Sequence, residues 1–186
     1  MSYRRIALLI LLSICLVALT FGVVIARSSS ESHIASPAAG NTVGVAISGQ
    51  CHSLDGLPDP ICTPGVADER VTQDNIQTTI CVRGYTKTVR PPVAYTNSLK
   101  QQQITAYGYS HTNPADYEED HLIPLELGGH PTDPKNLWPE PRTGVHTAAD
   151  KDRLENALHG KVCSGLLTLA TAQTAIARNW ESAEGG

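Results

Sequence analysis

Asp120-His121-Leu122-Ile123-Pro124-Leu125-Glu126-Leu127-Gly128-Gly129, followed by Asn136-Leu137-Trp138-Pro139 and then by His146, is the stretch on which the reading of this chain turns. A carboxylate, an imidazole, a glycine turn, an amide and a second imidazole fall within about thirty residues here and nowhere else. Residues 117–123 are expected to form an entry strand that Pro124 ends, because proline cannot donate to a ladder. Gly128 and Gly129 are expected to supply the positive φ values of a reversal, and Asn136-Leu137-Trp138 a short return strand. Thr147-Ala148-Ala149-Asp150 has capping-box spacing, and Leu154, Ala157, Leu158 and Val162 then recur along one helical face. Hairpin followed by helix is the expected unit. Positions 120 and 121 point to opposite faces of a strand, so a strand end or bulge is needed to bring both to one site.

The N-terminus reads Met1-Ser2-Tyr3-Arg4-Arg5 and then runs from Ile6 to Ala26 without a charge. At a rise of roughly 1.5 Å per residue, such a run spans a bilayer, and the arginines ahead of it hold the N-terminus in the cytoplasm. A transmembrane anchor over residues 1–27 is therefore expected. A cleaved signal peptide is the alternative, with small residues around Val24-Ile25-Ala26, although the apolar run is long for one. Either way the remainder is exported, to the outer face of the cell membrane or into the medium. Residues 28–50 are rich in Ser, Ala and Gly and read as a flexible linker, which leaves 51–186 as the domain.

Export fits the cysteines. Cys15 lies in the apolar segment, and Cys51, Cys62, Cys81 and Cys163 remain as an even set. Four cysteines allow three connectivities; Cys51–Cys62 and Cys81–Cys163 are preferred, because the second pair closes a long loop around the central stretch. A zinc staple is disfavoured by the absence of any C-x-x-C pair. Aromatic content of 5% with 15 Gly and 12 Pro argues against a large apolar core and for a turn-rich fold.

Between Cys51 and Tyr109, Asp74 to Ile80 is expected as a short capped helix or turn, and Ser98 to Tyr107 as a helix capped by Ser98. Residues 169–180 should form a last helix, with Leu169, Ala172, Ile176, Ala177 and Trp180 as its packing stripe. Arg83, Lys87, Arg90 and Lys100 are a loose basic cluster that reads as a solvated face. Setting aside Arg4, Arg5 and Arg27 leaves 11 basic against 18 acidic residues, a net of about −7. Long-range attraction to a polyanion is therefore absent. Any nucleic-acid chemistry must rest on local geometry and a bound cation.

The set Asp120-His121-x-x-Pro124-x-x-x-Gly128-Gly129, Asn136-Leu137 and His146 resembles the HNH endonucleases of the ββα-metal (His-Me finger) superfamily. The resemblance covers about residues 117–163 and is nearest a branch of small exported bacterial proteins with the D-H-L-I-P-L-E-L-G-G and N-L-W-P wording. It implies an α+β fold: a ββα-metal hairpin-helix core with additional helices, stapled by disulfides and preceded by the membrane helix. It further implies a metal-dependent endonuclease in which His121 is the general base. Asp120 and His146 would hold one divalent ion, Mg²⁺ or Mn²⁺, and Asn136 would orient His121 or complete the ion's shell. The sequence departs from the family where His146 is followed by Thr147 and Asp150, so Asp150 stands as substitute ligand and Glu119 as a spare. The implied substrate is DNA ahead of RNA, and the implied state a monomer. A non-catalytic exported binding domain on the same scaffold is the alternative. His52, His111, His130 and His159 read as surface residues, and Trp138 as core.

Overall fold

The computed structural model describes residues 51–54 and 56–185. The expected membrane helix and linker lie outside them; among the described residues no helix is long and apolar enough to cross a membrane. Among the described residues the architecture is mixed: one two-stranded antiparallel hairpin, four α-helices and several 3₁₀ turns, held by two disulfides.

The hairpin pairs β1 (Tyr117–His121) with β2 (Leu137–Pro141) in a register without a bulge, Asp120 opposite Trp138 and His121 opposite Leu137. His121 is the last paired residue, so the strand end supplies the irregularity that the two neighbours require. Between the strands the chain turns through a 3₁₀ turn at Leu125–Leu127 and a second at Pro134–Asn136. Gly128 adopts the left-handed φ of +71° that a reversal needs. Gly129 does not; its requirement is steric, since a Cβ there would lie 1.7 Å from the carbonyl oxygen of Ile123.

Helix α1 (Tyr85–Val89) leads into α2 (Val93–Ala106). The start expected at Ser98 is displaced five residues toward the N-terminus. Pro92 is the N-cap, in the extended conformation that proline favours, and Val93, Tyr95, Thr96 and Asn97, weak helix formers, concealed the first turn. Ser98 instead accepts a bond from Gln102 within the helix. Helix α2 lies against the hairpin: Gln103 Nε2 donates to the carbonyls of Leu137 (2.7 Å) and Pro134 (3.2 Å), and Lys100 Nζ to that of Tyr117 (3.2 Å).

Helix α3 (Ala148–Cys163) begins at the expected Thr147/Asp150 capping box. Leu154, Leu158 and Val162 are buried along it with Lys151, while Ala157 is exposed. Helix α4 (Leu169–Asn179) buries Leu169, Ala172 and Ile176, and Trp180 continues the stripe in a terminal 3₁₀ turn. The few aromatic residues are concentrated. Trp138, Tyr107, Tyr109 and Tyr117 form a row with ring centroids 6.3, 5.8 and 4.7 Å apart, covering the hairpin.

Both disulfides pair as preferred, Cys51–Cys62 and Cys81–Cys163, with sequence separations of 11 and 82. Chain-entropy estimates assign about 3 kcal/mol to the short loop and about 4.5 kcal/mol to the long one.

Candidate functional site

Asp120 and His121 meet at the end of β1 on the rim of a narrow cleft of about 50 Å³, lined also by Arg90, Glu118, Glu119, Asp152 and Glu155. A space of that size admits a few waters and no nucleotide. Its lining is one guanidinium against five carboxyl groups.

His121 is 6% exposed, and its Nε2 lies 2.9 Å from the carbonyl oxygen of Pro131. A carbonyl only accepts, so Nε2 carries the proton and Nδ1 keeps its lone pair. No group of the described residues hydrogen-bonds to Nδ1. Burial is the largest influence on this imidazole and holds its pKa below the ordinary histidine value, against the opposing pulls of the Pro131 carbonyl and Asp120. The ring is thus neutral, in a single tautomer, beside a cleft that takes water.

The Pro131 carbonyl is held in place by the loop between the strands, and Asn136 organises that loop. Its side chain is completely buried. Oδ1 accepts from the backbone N–H of Ile123 (3.0 Å) and Val66 (3.1 Å), and Nδ2 donates to the carbonyls of Ile123 (3.0 Å) and His130 (3.1 Å). All four hydrogen-bonding positions of the amide are therefore spent on backbone. Asn136 orients His121 only through the loop and has no capacity left for an ion.

Asp120 reaches toward α3. Its Oδ2 accepts from Trp138 Nε1 (3.2 Å) and lies 2.7 Å from the ammonium of Lys151. Lys151 also contacts Glu155 one helical turn on, and donates to the backbone carbonyl of His121 at 3.0 Å. Burial by itself disfavours the ammonium, but Asp120, Glu155 and Glu140 together more than offset it and keep Lys151 charged. Glu140 is buried with neither carboxyl oxygen hydrogen-bonded; burial, and then the charge of Asp120, raise its pKa against the opposing pull of Lys151. Glu119, also without a partner for either oxygen, is pushed up to about 9 by burial and then by Asp120.

The other expected ligands are placed elsewhere. His146 packs edge-on against Trp180 with ring centroids 6.0 Å apart, sits 3.4 Å from Glu181, and lines a separate cavity with Gly56 and Pro141. The loop from Arg142 to Thr147 carries it past the hairpin end to the terminal 3₁₀ turn. Asp150 is consumed as a helix cap: Oδ2 accepts from the Thr147 N–H (3.0 Å) and hydroxyl (2.7 Å), and Oδ1 contacts Arg153. These bonds, those from Thr147 foremost, lower its pKa. What α3 delivers to the cleft is Asp152 and Glu155, two and five residues beyond the cap residue Asp150.

Carboxylate oxygens suit Mg²⁺ or Mn²⁺, which are commonly held by one or two carboxylates with water completing the shell. Asp120 and Glu155, both in contact with one cationic atom, fit that donor set; Asp120 with His146 and Asp150 does not. Elsewhere, Cys81, His159 and Cys163 form a group that could hold a metal ion, their donor atoms within 4.8 Å of one another. In the disulfide the two sulfurs are bonded to each other, and His159 Nε2 lies 3.3 Å from Cys163 Sγ and 3.0 Å from the Ile80 carbonyl. His159 is therefore partly buried against the staple, and its i, i+4 spacing from Cys163 was the signal in the sequence. Comparison with protein-family models, curated proteins and solved structures gives no match for this chain.

Proposed function

We propose that this domain is a metal-dependent endonuclease that hydrolyses nucleic-acid phosphodiesters outside the cytoplasm, with His121 as general base. The observation that carries the reading is the neutral imidazole of His121. The Pro131 carbonyl fixes its tautomer, and the imidazole stands at the rim of the cleft that Asp120 and Glu155 share. Both disulfides accord with an oxidising compartment.

His121 Nδ1 takes a proton from a water as the water oxygen attacks phosphorus; the bond to the 3′ oxygen breaks, and that oxygen takes a proton from solvent, leaving a 3′ hydroxyl and a 5′ phosphate. Nε2–H···O=C Pro131 stabilises the imidazolium that forms. The loop clamped by Asn136 keeps ring and carbonyl in register. Asp120 and Glu155 would hold the divalent ion, which when bound neutralises charge on the non-bridging and leaving oxygens. Arg90 is the cleft's own phosphate contact. The scissile phosphate sits at the mouth, because the cleft itself holds only water.

The test is nicking of supercoiled plasmid by the full chain in Mg²⁺ or Mn²⁺. Cleavage abolished by EDTA and by His121→Ala supports the reading. A folded protein that cuts neither DNA nor RNA in either ion refutes it. The second reading, a non-catalytic binding domain, is favoured by one observation: Lys151 already compensates the carboxylates on which an ion would depend.

A further inference from the structure

We infer that Lys151 is a resident cation of this site, and that a divalent ion binds at the cleft by exchange, displacing its ammonium from Asp120 and Glu155. The inference rests on the reading that Asp120 is an ion-binding carboxylate. The Lys151 side chain is 0% exposed, an arrangement lysine almost never adopts without full compensation. Its three N–H bonds are met by Asp120 Oδ2, Glu155 and the backbone carbonyl of His121. Two of these are the carboxylates that line the cleft from opposite elements, β1 and α3, and the third belongs to the proposed base itself. The ammonium thus stands where negative charge converges most closely, which is where a small hard cation would be drawn.

Two cations cannot share that point. Lysine is suited to leaving it, because its charge is compact and rides on a flexible four-carbon stem, unlike the planar guanidinium of arginine. The stem is anchored on α3 while the head reaches across to the hairpin, so rotation of the side chain alone releases Asp120 and Glu155 together. Before any ion arrives, the ammonium keeps the carboxylates from repelling each other and holds the end of β1 against α3. The site is therefore assembled without metal, at the cost of weaker ion binding. Removing the lysine should reverse both effects.

The experiment compares the full wild-type chain with Lys151→Met, using Mn²⁺ binding by electron paramagnetic resonance and thermal melting with and without Mn²⁺. Lys151→Met should bind Mn²⁺ at least tenfold more tightly than wild type, and should melt lower without the ion yet recover on its addition. Adding Asp120→Asn to Lys151→Met should abolish the gain. Mn²⁺ binding that is equal or weaker in Lys151→Met, or absent from both proteins, overturns the inference. A measurement on the wild-type chain covers failure of the variant to fold: acylation of Lys151 by an N-hydroxysuccinimide ester, read by mass spectrometry. Labelling should rise severalfold in Mn²⁺ at millimolar concentration; unchanged labelling overturns the exchange. None of these readouts involves cleavage, so a failed nuclease assay and a failed exchange are separate results.

Discussion

Replacing Asn136 with alanine separates a structural amide from a chemical one. The substitution deletes two acceptor and two donor interactions, all with backbone groups of three segments: Val66, Ile123 and His130. Each such bond contributes about 1 kcal/mol net, and a buried backbone group left without a partner costs about 1–3 kcal/mol. The two N–H groups are the harder to re-satisfy in a site that is 0% exposed, so the expected loss is roughly 3–5 kcal/mol. Against a total stability of about 5–15 kcal/mol this is severe. Asn136→Asp keeps one acceptor oxygen but replaces the Nδ2 donor with a second acceptor facing the carbonyls of Ile123 and His130, and should be as damaging at neutral pH. Urea unfolding followed by tryptophan fluorescence measures both, with Trp138 next to the lesion reporting the hairpin. A loss below about 1 kcal/mol for Asn136→Ala would refute the reasoning. Cleavage lost together with so small a stability loss would mean that the amide acts on the reacting groups directly.

Three further outcomes are expected. Replacing Cys81 and Cys163 with serine should cost about 1–2 kcal/mol more than the same change at Cys51 and Cys62, from the loop lengths, measured by denaturant unfolding under non-reducing conditions. Glu119 holds its proton in the fold, its pKa raised from the ordinary 4.5 to about 9. Its contribution is therefore fully favourable below about pH 4.5 and is lost as pH rises toward 9. Glu119→Gln should gain roughly 2 kcal/mol relative to wild type at pH 8 and little at pH 4, by melting across pH. His121 has a depressed pKa, so its base form persists below the ordinary 6.5, and the acidic half-point of the cleavage rate should lie below that value; a half-point above 6.5 contradicts the environment described for the ring.

Much of the frame was legible because its signals are local. The Thr147/Asp150 box, the i, i+4 run of Leu154, Leu158 and Val162, and the turn at Gly128 are statements about neighbouring residues, and they hold. The disulfide pairing followed from loop length. What the sequence concealed depends on where a loop goes. His146 stands ten residues after Asn136, but the segment from 142 to 147 takes it to Trp180 and Glu181, and no local propensity encodes that path. Asp150 carried two readings, cap and ligand, and the cap prevails because Thr147 lies three residues before it. Lys151 carries no local signal of burial. A lysine in the first turns of a helix is ordinarily solvated, and only the hairpin packed against α3 makes it the best-buried charge in the cluster.

The 82-residue separation of Cys81 and Cys163 has a consequence for what backbone cleavage would do to the domain. Both strands, the clamped loop, the imidazole and all of α3 lie inside the covalent ring that this bond closes. A single cut in the exposed stretch around Thr143 and Gly144 opens the ring without releasing either piece. The severed halves stay tethered, and the hairpin and α3 can re-engage as a two-chain domain.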